Sequence, residues 1–396
     1  MRIMIIAASD LPIPAYKGGA TETLITDLLE REEIKSNSSL AIDVFSHCSG
    51  ERFSDGNVTY YFYKKRLWEK IYFFVMRIIR ICLLKKIYIP DVFPMILAKD
   101  INLKEYDLVI LEGCMQQVLT TRTVYKGKLA LHIHTVMTLT KNTPGAVKIV
   151  NKCDYLIANS EFAKRTMELI ESNVKGKVLL WKNCIKTELF QSDFEKMRNG
   201  FRKEHNLTVL DFLYIYCGRL EPGKGVLELI EAFKKADVRG KLLIVGASWF
   251  SSDKKTSYVK KLEEAAGDLK DRIIFTGYVK HENIAQYYHF SDVAIMPSIY
   301  KESAGLVAIE AQASGIPVII SDIGGIPEFV HSESGLKVKP DEFFVENLAS
   351  LMKKLQDDKS FYLHEKALAV SNSREYGRDR YCREFFDILS DILDEK

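Results

Sequence analysis

The stretch Lys301-Glu302-Ser303-Ala304-Gly305-Leu306-Val307-Ala308-Ile309-Glu310-Ala311 sets two carboxylates eight positions apart around a Gly-Leu step. The apolar run after Gly305 reads as a helix, with Glu302 in the loop before it and Glu310 within its second turn. A helix start offers unpaired backbone N–H groups and a partial positive charge, which suits an anion such as a diphosphate. An acid just outside that anion site and another along the helix would each hold hydroxyls of a polyhydroxy ring. The pattern reads as a nucleotide-sugar site.

Outward from this stretch, short apolar runs alternate with helical patterns over almost the whole chain, the mark of a doubly wound parallel α/β protein. The first half gives strands at residues 3–8, 42–46, 59–63, 108–111, 129–134, 155–159 and 178–181. The second half gives 212–217, 241–245, 273–276, 293–297, 318–321 and 336–338. At 396 residues the chain exceeds one ordinary core, so two domains of roughly 180 residues are expected. The charged stretch 191–206 lacks strand character and marks the interdomain region. Residues 1–190 then form one Rossmann-like domain and 191–372 a second. The amphipathic end, 373–396, is expected to pack back on the first.

Ligands of such sheets sit at the carboxyl ends of strands, and two facing domains put them in a cleft. After the strand at 212–217 comes Gly218-Arg219-Leu220-Glu221-Pro222-Gly223-Lys224-Gly225, a tight turn with two cations on the approach to a helix. Arg219 offers a planar fork and Lys224 a point charge, and both suit a pyrophosphate. A solvated turn with surface cations is the plain alternative. Near the N-terminus, Lys17-Gly18-Gly19-Ala20 opens a helix where two glycines allow close approach to a ligand. Leu131-His132-Ile133-His134-Thr135 places two imidazoles on one face of a strand end. No Asp, Glu or Cys at ligand spacing accompanies them, which argues against a metal. A donor contact by one histidine, His134 rather than His132, and a core role for the other is the reading.

Composition narrows the classes. A net charge of +3 gives a nucleic-acid role no support, and seven scattered cysteines without a C-x-x-C pair point to a reducing cytoplasm. The run after Met1-Arg2 is too short for a signal-peptide core and reads as a first strand. No apolar run approaches the ~20 residues of a membrane span. Residues 61–89 interleave Lys64, Lys65, Arg66, Lys70, Arg77, Arg80, Lys85 and Lys86 with Trp68, Tyr72, Phe73 and Phe74. Spacings of helical period turn a basic stripe one way and an apolar face the other, a pattern that suits either an anionic membrane surface or a helix on a domain core.

The chain resembles the retaining GT-B glycosyltransferases of glycosyltransferase family 4 over nearly its full length. The residues that carry the likeness begin with Gly18-Gly19, the His132/His134 strand, Asn159-Ser160-Glu161 and Asn183-Cys184-Ile185 with Phe190. They continue with Gly218-Arg219, Lys224-Gly225, Thr276-Gly277-Tyr278, Glu302…Glu310 and Ser321-Asp322-Ile323-Gly324-Gly325-Ile326-Pro327-Glu328. Their order and spacing together are specific. The resemblance implies the GT-B fold, two Rossmann-like domains facing across a cleft. It implies that Arg219 and Lys224 neutralise the donor diphosphate and that Glu302 holds donor-sugar hydroxyls. Ser303 and the backbone N–H groups of Ala304, Gly305, Leu306 and Val307 would surround sugar and phosphate. Glu310 would bind the ribose, the backbone at Tyr278-Val279 would meet the base, and Gly19 would close over the diphosphate. His134 and His132 are donor-side candidates. Such enzymes need no protein nucleophile, the acceptor hydroxyl attacking on the front face. The charge building on the leaving diphosphate is what the protein must stabilise.

The chain departs from its relatives at Asn183-Cys184-Ile185-Lys186, where Asn-Gly-Val/Ile-Asp is usual, and at Ser303-Ala304, where Pro-Phe is usual. The first change bears on the acceptor side. No Asp-x-Asp pair exists, so cations and helix dipoles are expected in place of a metal, with no cofactor. The expected activity is metal-independent transfer of a hexosyl group from a nucleotide diphosphate-sugar, uridine favoured, to a glycan or lipid-linked acceptor of cell-surface polysaccharide. A 2-epimerase acting on the nucleotide sugar is the alternative on the same fold. A silent binding scaffold fits less well, since all four of Arg219, Lys224, Glu302 and Glu310 are present.

Overall fold

A computed structural model describes residues 1–7, 11–16, 19–82, 88–136, 139–248 and 256–394. The chain divides into two compact units, Met1–Asn183 with Arg378–Lys396, and Cys184–Gly377.

The first unit holds a sheet built from β1 (Arg2–Ile6), β2 (Ala41–Ser46), β3 (Phe53–Asp55), β4 (Val58–Phe62), β5 (Leu108–Glu112), β6 (Lys128–Ile133), β7 (Tyr155–Ala158) and β8 (Val178–Leu180). The order is β3-β4-β2-β1-β5-β6-β7-β8, all parallel except β3, which pairs antiparallel with β4. The central strands are buried on both faces and read as unbroken apolar runs, as a helix-covered parallel sheet requires. The short β3 is a strand that apolar patterning did not reveal, because its three residues are all exposed at the sheet edge. Helices α1 (Ala20–Leu29) and α2 (Leu67–Cys82) belong to this unit.

The second unit is a six-stranded parallel sheet of β9 (Phe212–Cys217), β10 (Gly240–Val245), β11 (Ile273–Gly277), β12 (Val293–Met296), β13 (Val318–Ser321) and β14 (Lys337–Val338). Its order, β11-β10-β9-β12-β13-β14, reverses direction between β9 and β12. Apolar clusters cover both faces, one including Leu229, Phe233 and Met352, the other Leu213, Tyr288 and Phe329. Helix α3 (Val226–Lys235) follows β9, and helix α4 (Leu306–Ala313) follows β12.

The expected boundary at 190/191 falls instead between Asn183 and Cys184. Ile185 and Phe190 are buried in the second unit's core, which draws the preceding segment with them. The stretch 191–206 contains a helix, Glu195–Glu204, held by Arg198 and Arg202 to Asp292. The last helix, α5 (Arg378–Asp394), groups with the first unit. Trp181 stacks on Tyr381 with ring centroids 4.3 Å apart, and Arg380 Nη2 donates to the carbonyls of Lys182 and Asn183 at 3.0 Å.

Candidate active site

In the second unit the order in which successive strands are added reverses between β9 and β12, and ligands of open α/β sheets bind outside such a switch point. The two loops that leave those strands carry Arg219 and Lys224 on one side and Glu302 on the other. The backbone laces them together: Ile299 N–H donates to the Gly223 carbonyl at 3.0 Å. Gly225 has φ +70 and lies so close to the Pro297 carbonyl that any Cβ would overlap it. Only glycine allows this approach of the two loops.

Lys224 Nζ donates to Glu302 Oε2 at 2.7 Å, and the side chains are 17% and 14% exposed. The Ser298 hydroxyl donates to the other carboxylate oxygen. Lys224 also lies 5.5 Å from the Tyr300 ring centroid. Tyr300 donates its hydroxyl proton to Glu221 Oε1 at 2.9 Å, and Arg219 pairs with that same oxygen at 3.2 Å. Burial pushes the Tyr300 hydroxyl well above its ordinary range, so it remains a donor. Arg219 itself is exposed, its guanidinium tethered at one corner. The outcome is a held, mostly desolvated cation in Lys224 and a second, solvent-facing cation beside it. Ser298, Tyr300 and Glu221 escaped the sequence reading. Ser298 follows β12 by two positions, and the rule that placed Arg219 after β9 would have found it.

Gly305 precedes α4, whose first turn holds no acid and no side-chain cap. The N–H groups of Leu306 and Val307 precede the first intrahelical bond, which Ala308 makes to the Gly305 carbonyl. The Ser303 side chain is buried, while Ala304, Leu306 and Val307 are partly buried. Gly324, with φ +65, packs onto this loop, and Gly325 N–H donates to the Glu302 carbonyl at 2.8 Å. That gives the two glycines of the Ser321–Glu328 signature a physical role: they clamp the backbone of Glu302.

Glu310 is buried on α4 and accepts the Tyr288 hydroxyl at 3.1 Å. His281 Nε2 lies 3.1 Å from its other oxygen. Burial raises Tyr288 well above its ordinary value, which keeps its proton available for that bond. Tyr278 is exposed and Val279 partly buried, just past β11. Tyr288 and His281 come from the segment before β12 and carried no sequence signal.

In the first unit the switch point lies between β1 and β5. Gly18 lies outside the described residues. Gly19 caps α1 with φ 108, a conformation that favours glycine. The first turn of α1 contains Glu22, buried and acidic, so an anion at Gly19 would meet a carboxylate.

The histidine pair takes a different form from the one expected. Parallel pairing sets Glu112 of β5 opposite His132 of β6. Its Oε2 lies 3.0 Å from His132 Nδ1 and 2.8 Å from His134 Nε2. The expectation that no acid accompanies the histidines is therefore corrected: the acid sits twenty positions away in sequence and one strand away in space. Glu112, His132 and His134 present ligand atoms within 4.8 Å of one another and, among the described residues, are those that would hold a cation in this unit. His134 shares a hydrogen bond with that carboxylate oxygen, while His132 Nδ1 lies within ion-pair distance of it without hydrogen-bond geometry. Burial works against the Glu112 charge, yet His132 and His134 outweigh it and hold the carboxyl at about 2. Burial, with His132 beside it, lowers His134, so its ring stays neutral near pH 7. His132 is 0% exposed and stacks on Trp181 at 5.0 Å, which removes it from the donor-facing candidates. His134 is partly exposed and keeps that place.

Residues 197–370 match the family of glycosyl transferases group 1. That group 1 match spans the loops after β9 and β12, α4 and Glu310. The lipopolysaccharide 1,2-N-acetylglucosaminetransferase of Salmonella typhimurium is 31% identical over 137 residues, 34% of this chain and 36% of that enzyme. The chain thus matches about a third of that relative's length. A putative glycosyltransferase of Bacillus subtilis, YtcC, is 23% identical over 87% of this chain and 81% of its own. Among solved structures, Anabaena HepE in complex with UDP superposes with TM-score 0.72 at 19% identity, covering 98% of this chain and 100% of that one. Trehalose-6-phosphate synthase OtsA gives TM-score 0.75 at 12% identity over 98% of this chain and 99% of its own. These likenesses show the fold, the two-unit α/β arrangement of GT-B glycosyltransferases.

Proposed function

We propose that this chain is a retaining glycosyltransferase of the family 4 type that moves a hexosyl group from a nucleotide diphosphate-sugar to a glycan or lipid-linked acceptor of cell-surface polysaccharide. The observation that carries the reading is the Lys224–Glu302 pair at the β9/β12 switch point, beside Arg219 and the open start of α4. Lys224 and Arg219 neutralise the leaving diphosphate, and the Leu306 and Val307 N–H groups bind it. A preorganised donor of this kind is worth ~3–4 kcal/mol of barrier. Glu302, with one oxygen on Ser298 and the other on Lys224, accepts from donor-sugar hydroxyls. Glu310, anchored by Tyr288, takes the ribose. His134, neutral and braced by Glu112, donates or accepts at the sugar. The cations take the place a metal would hold, and the nucleotide sugar is substrate rather than cofactor. A uridine donor is favoured by the solved relative HepE, whose complexes contain UDP and UDP-glucose. A surface-polysaccharide acceptor is favoured by the lipopolysaccharide enzyme among the relatives.

The test is a thermal-shift and calorimetric screen of nucleoside diphosphates and their sugars, repeated in chelator. A ligand at 100 times its Kd raises stability by ~2.7 kcal/mol. Glu310→Ala removes a charged acceptor, so nucleoside diphosphate affinity should fall about 10- to 100-fold. Undiminished affinity in that variant would remove Glu310 from the site. NMR of the product anomer distinguishes retention from inversion, and conversion of donor without acceptor would identify an epimerase.

A further inference from the structure

Helix α2 (Leu67–Cys82) turns its apolar face outward. Leu67, Trp68, Ile71, Phe74, Val75 and Ile78 are all exposed, Leu67 at 74% and Phe74 at 65%. Their spacing of three and four places them on one stripe of the helix. The opposite stripe, Glu69, Tyr72, Phe73 and Met76, is buried or partly buried. The reading of this segment as a helix whose apolar face covers a domain core is therefore corrected.

The orientation is held by polar bonds. Glu69 is 1% exposed, lies 2.8 Å from His47 Nε2, and accepts Arg66 N–H at 3.0 Å. His47 stacks on Phe93 with centroids 4.1 Å apart. The Tyr72 hydroxyl donates to the Pro90 carbonyl at 3.1 Å. Rolling the helix to hide its apolar stripe would break the buried His47–Glu69 contact and strand a carboxylate. The outward face is thus fixed by the fold.

Charge indicates the partner. From Lys64 to Pro90 the sequence holds eight Lys and Arg, and its single acid, Glu69, is the one turned inward. Lys64, Arg66 and Lys70 are exposed at the start of the helix. Residues 83–87 and the side chains of Arg77 and Arg80 lie outside the described part and enter only as sequence. An apolar stripe bordered by cations, with no exposed acid in the same segment, is complementary to acyl chains beneath anionic headgroups. No helix of the described residues is long and apolar enough to cross a membrane.

We propose that α2 is an in-plane docking helix for an anionic lipid bilayer. The apolar stripe sinks to the level of the headgroup–acyl boundary while Lys64, Arg66 and Lys70 meet lipid phosphates. This docking is independent of the reaction and is read without substrate.

The test is co-sedimentation of the full chain with vesicles of phosphatidylcholine alone and of phosphatidylcholine with phosphatidylglycerol, at low and high salt. Sedimentation velocity is run without lipid. The wild-type chain should bind the anionic vesicles, and salt should weaken binding. Together, Lys64→Ala, Arg66→Ala and Lys70→Ala should lower partitioning about a hundredfold, at about fivefold per cation. Ile71→Ser, Phe74→Ser and Ile78→Ser should abolish it while the thermal midpoint stays near wild type, since these side chains face outward. Equal binding to neutral and anionic vesicles, or wild-type binding by both variants, overturns the proposal. So does a lipid-free dimer that the serine variant dissociates, because the occupant of the stripe is then a second copy.

Discussion

Lys224→Ala separates the structural from the chemical role of the Lys224–Glu302 pair. The two side chains are 17% and 14% exposed and 2.7 Å apart, so the pair is mostly but not wholly desolvated. Removing one partner of a fully buried pair costs about 3–5 kcal/mol, since the other charge is left uncompensated. Residual water and the Ser298 hydroxyl still serve Glu302 here, which lowers the expected loss to about 1–3 kcal/mol. Adding Glu302→Gln removes the stranded charge, so the double variant should recover most of that loss. Turnover should behave differently. If Lys224 stabilises the leaving diphosphate, the single variant loses about 10²- to 10³-fold in kcat, and the double variant recovers none of it. The assay is nucleoside diphosphate release under saturating donor, beside thermal melts of both variants. Full turnover by Lys224→Ala would refute the diphosphate role. Recovery of turnover together with stability in the double variant would show that the pair is purely structural.

Gly324→Ala should destabilise the protein by at least about 1–2 kcal/mol, since φ is +65 and the new methyl would lie 2.6 Å from the Glu302 carbonyl oxygen. An unchanged melting temperature would show that the clamp on Glu302 is not tight. Burial lowers both His47 and His289, so each favours folding in its neutral form. Their stabilisation is complete above the unfolded value near 6.5 and is lost as pH falls from there through the lower folded values. The urea midpoint should therefore drop between about pH 7.5 and about pH 5.5, and His47→Gln should flatten the slope. A midpoint that rises on acidification would reverse the assignment.

Much of the second unit's candidate site was legible because its residues are local. Arg219 and Lys224 follow one strand within a single turn, Glu302 and Glu310 bracket one helix start, and both patterns rest on backbone geometry that neighbouring residues dictate. Partners contributed across the sheet were not legible. Glu112 reaches the histidines through the register of β5 on β6, and Tyr288 reaches Glu310 from another helix. Strand register is set by packing of the whole sheet, which no sequence window contains.

The alternation of apolar runs and helical patterns was enough, by itself, to determine a doubly wound fold and all its strands but the exposed edge strand β3. Tertiary structure alone decided which histidine is enclosed, where an acid meets them, and which way α2 faces. The amphipathic pattern of α2 has two physically equivalent solutions, apolar face in or out. The buried Glu69–His47 contact, formed between residues twenty-two positions apart, selects the second.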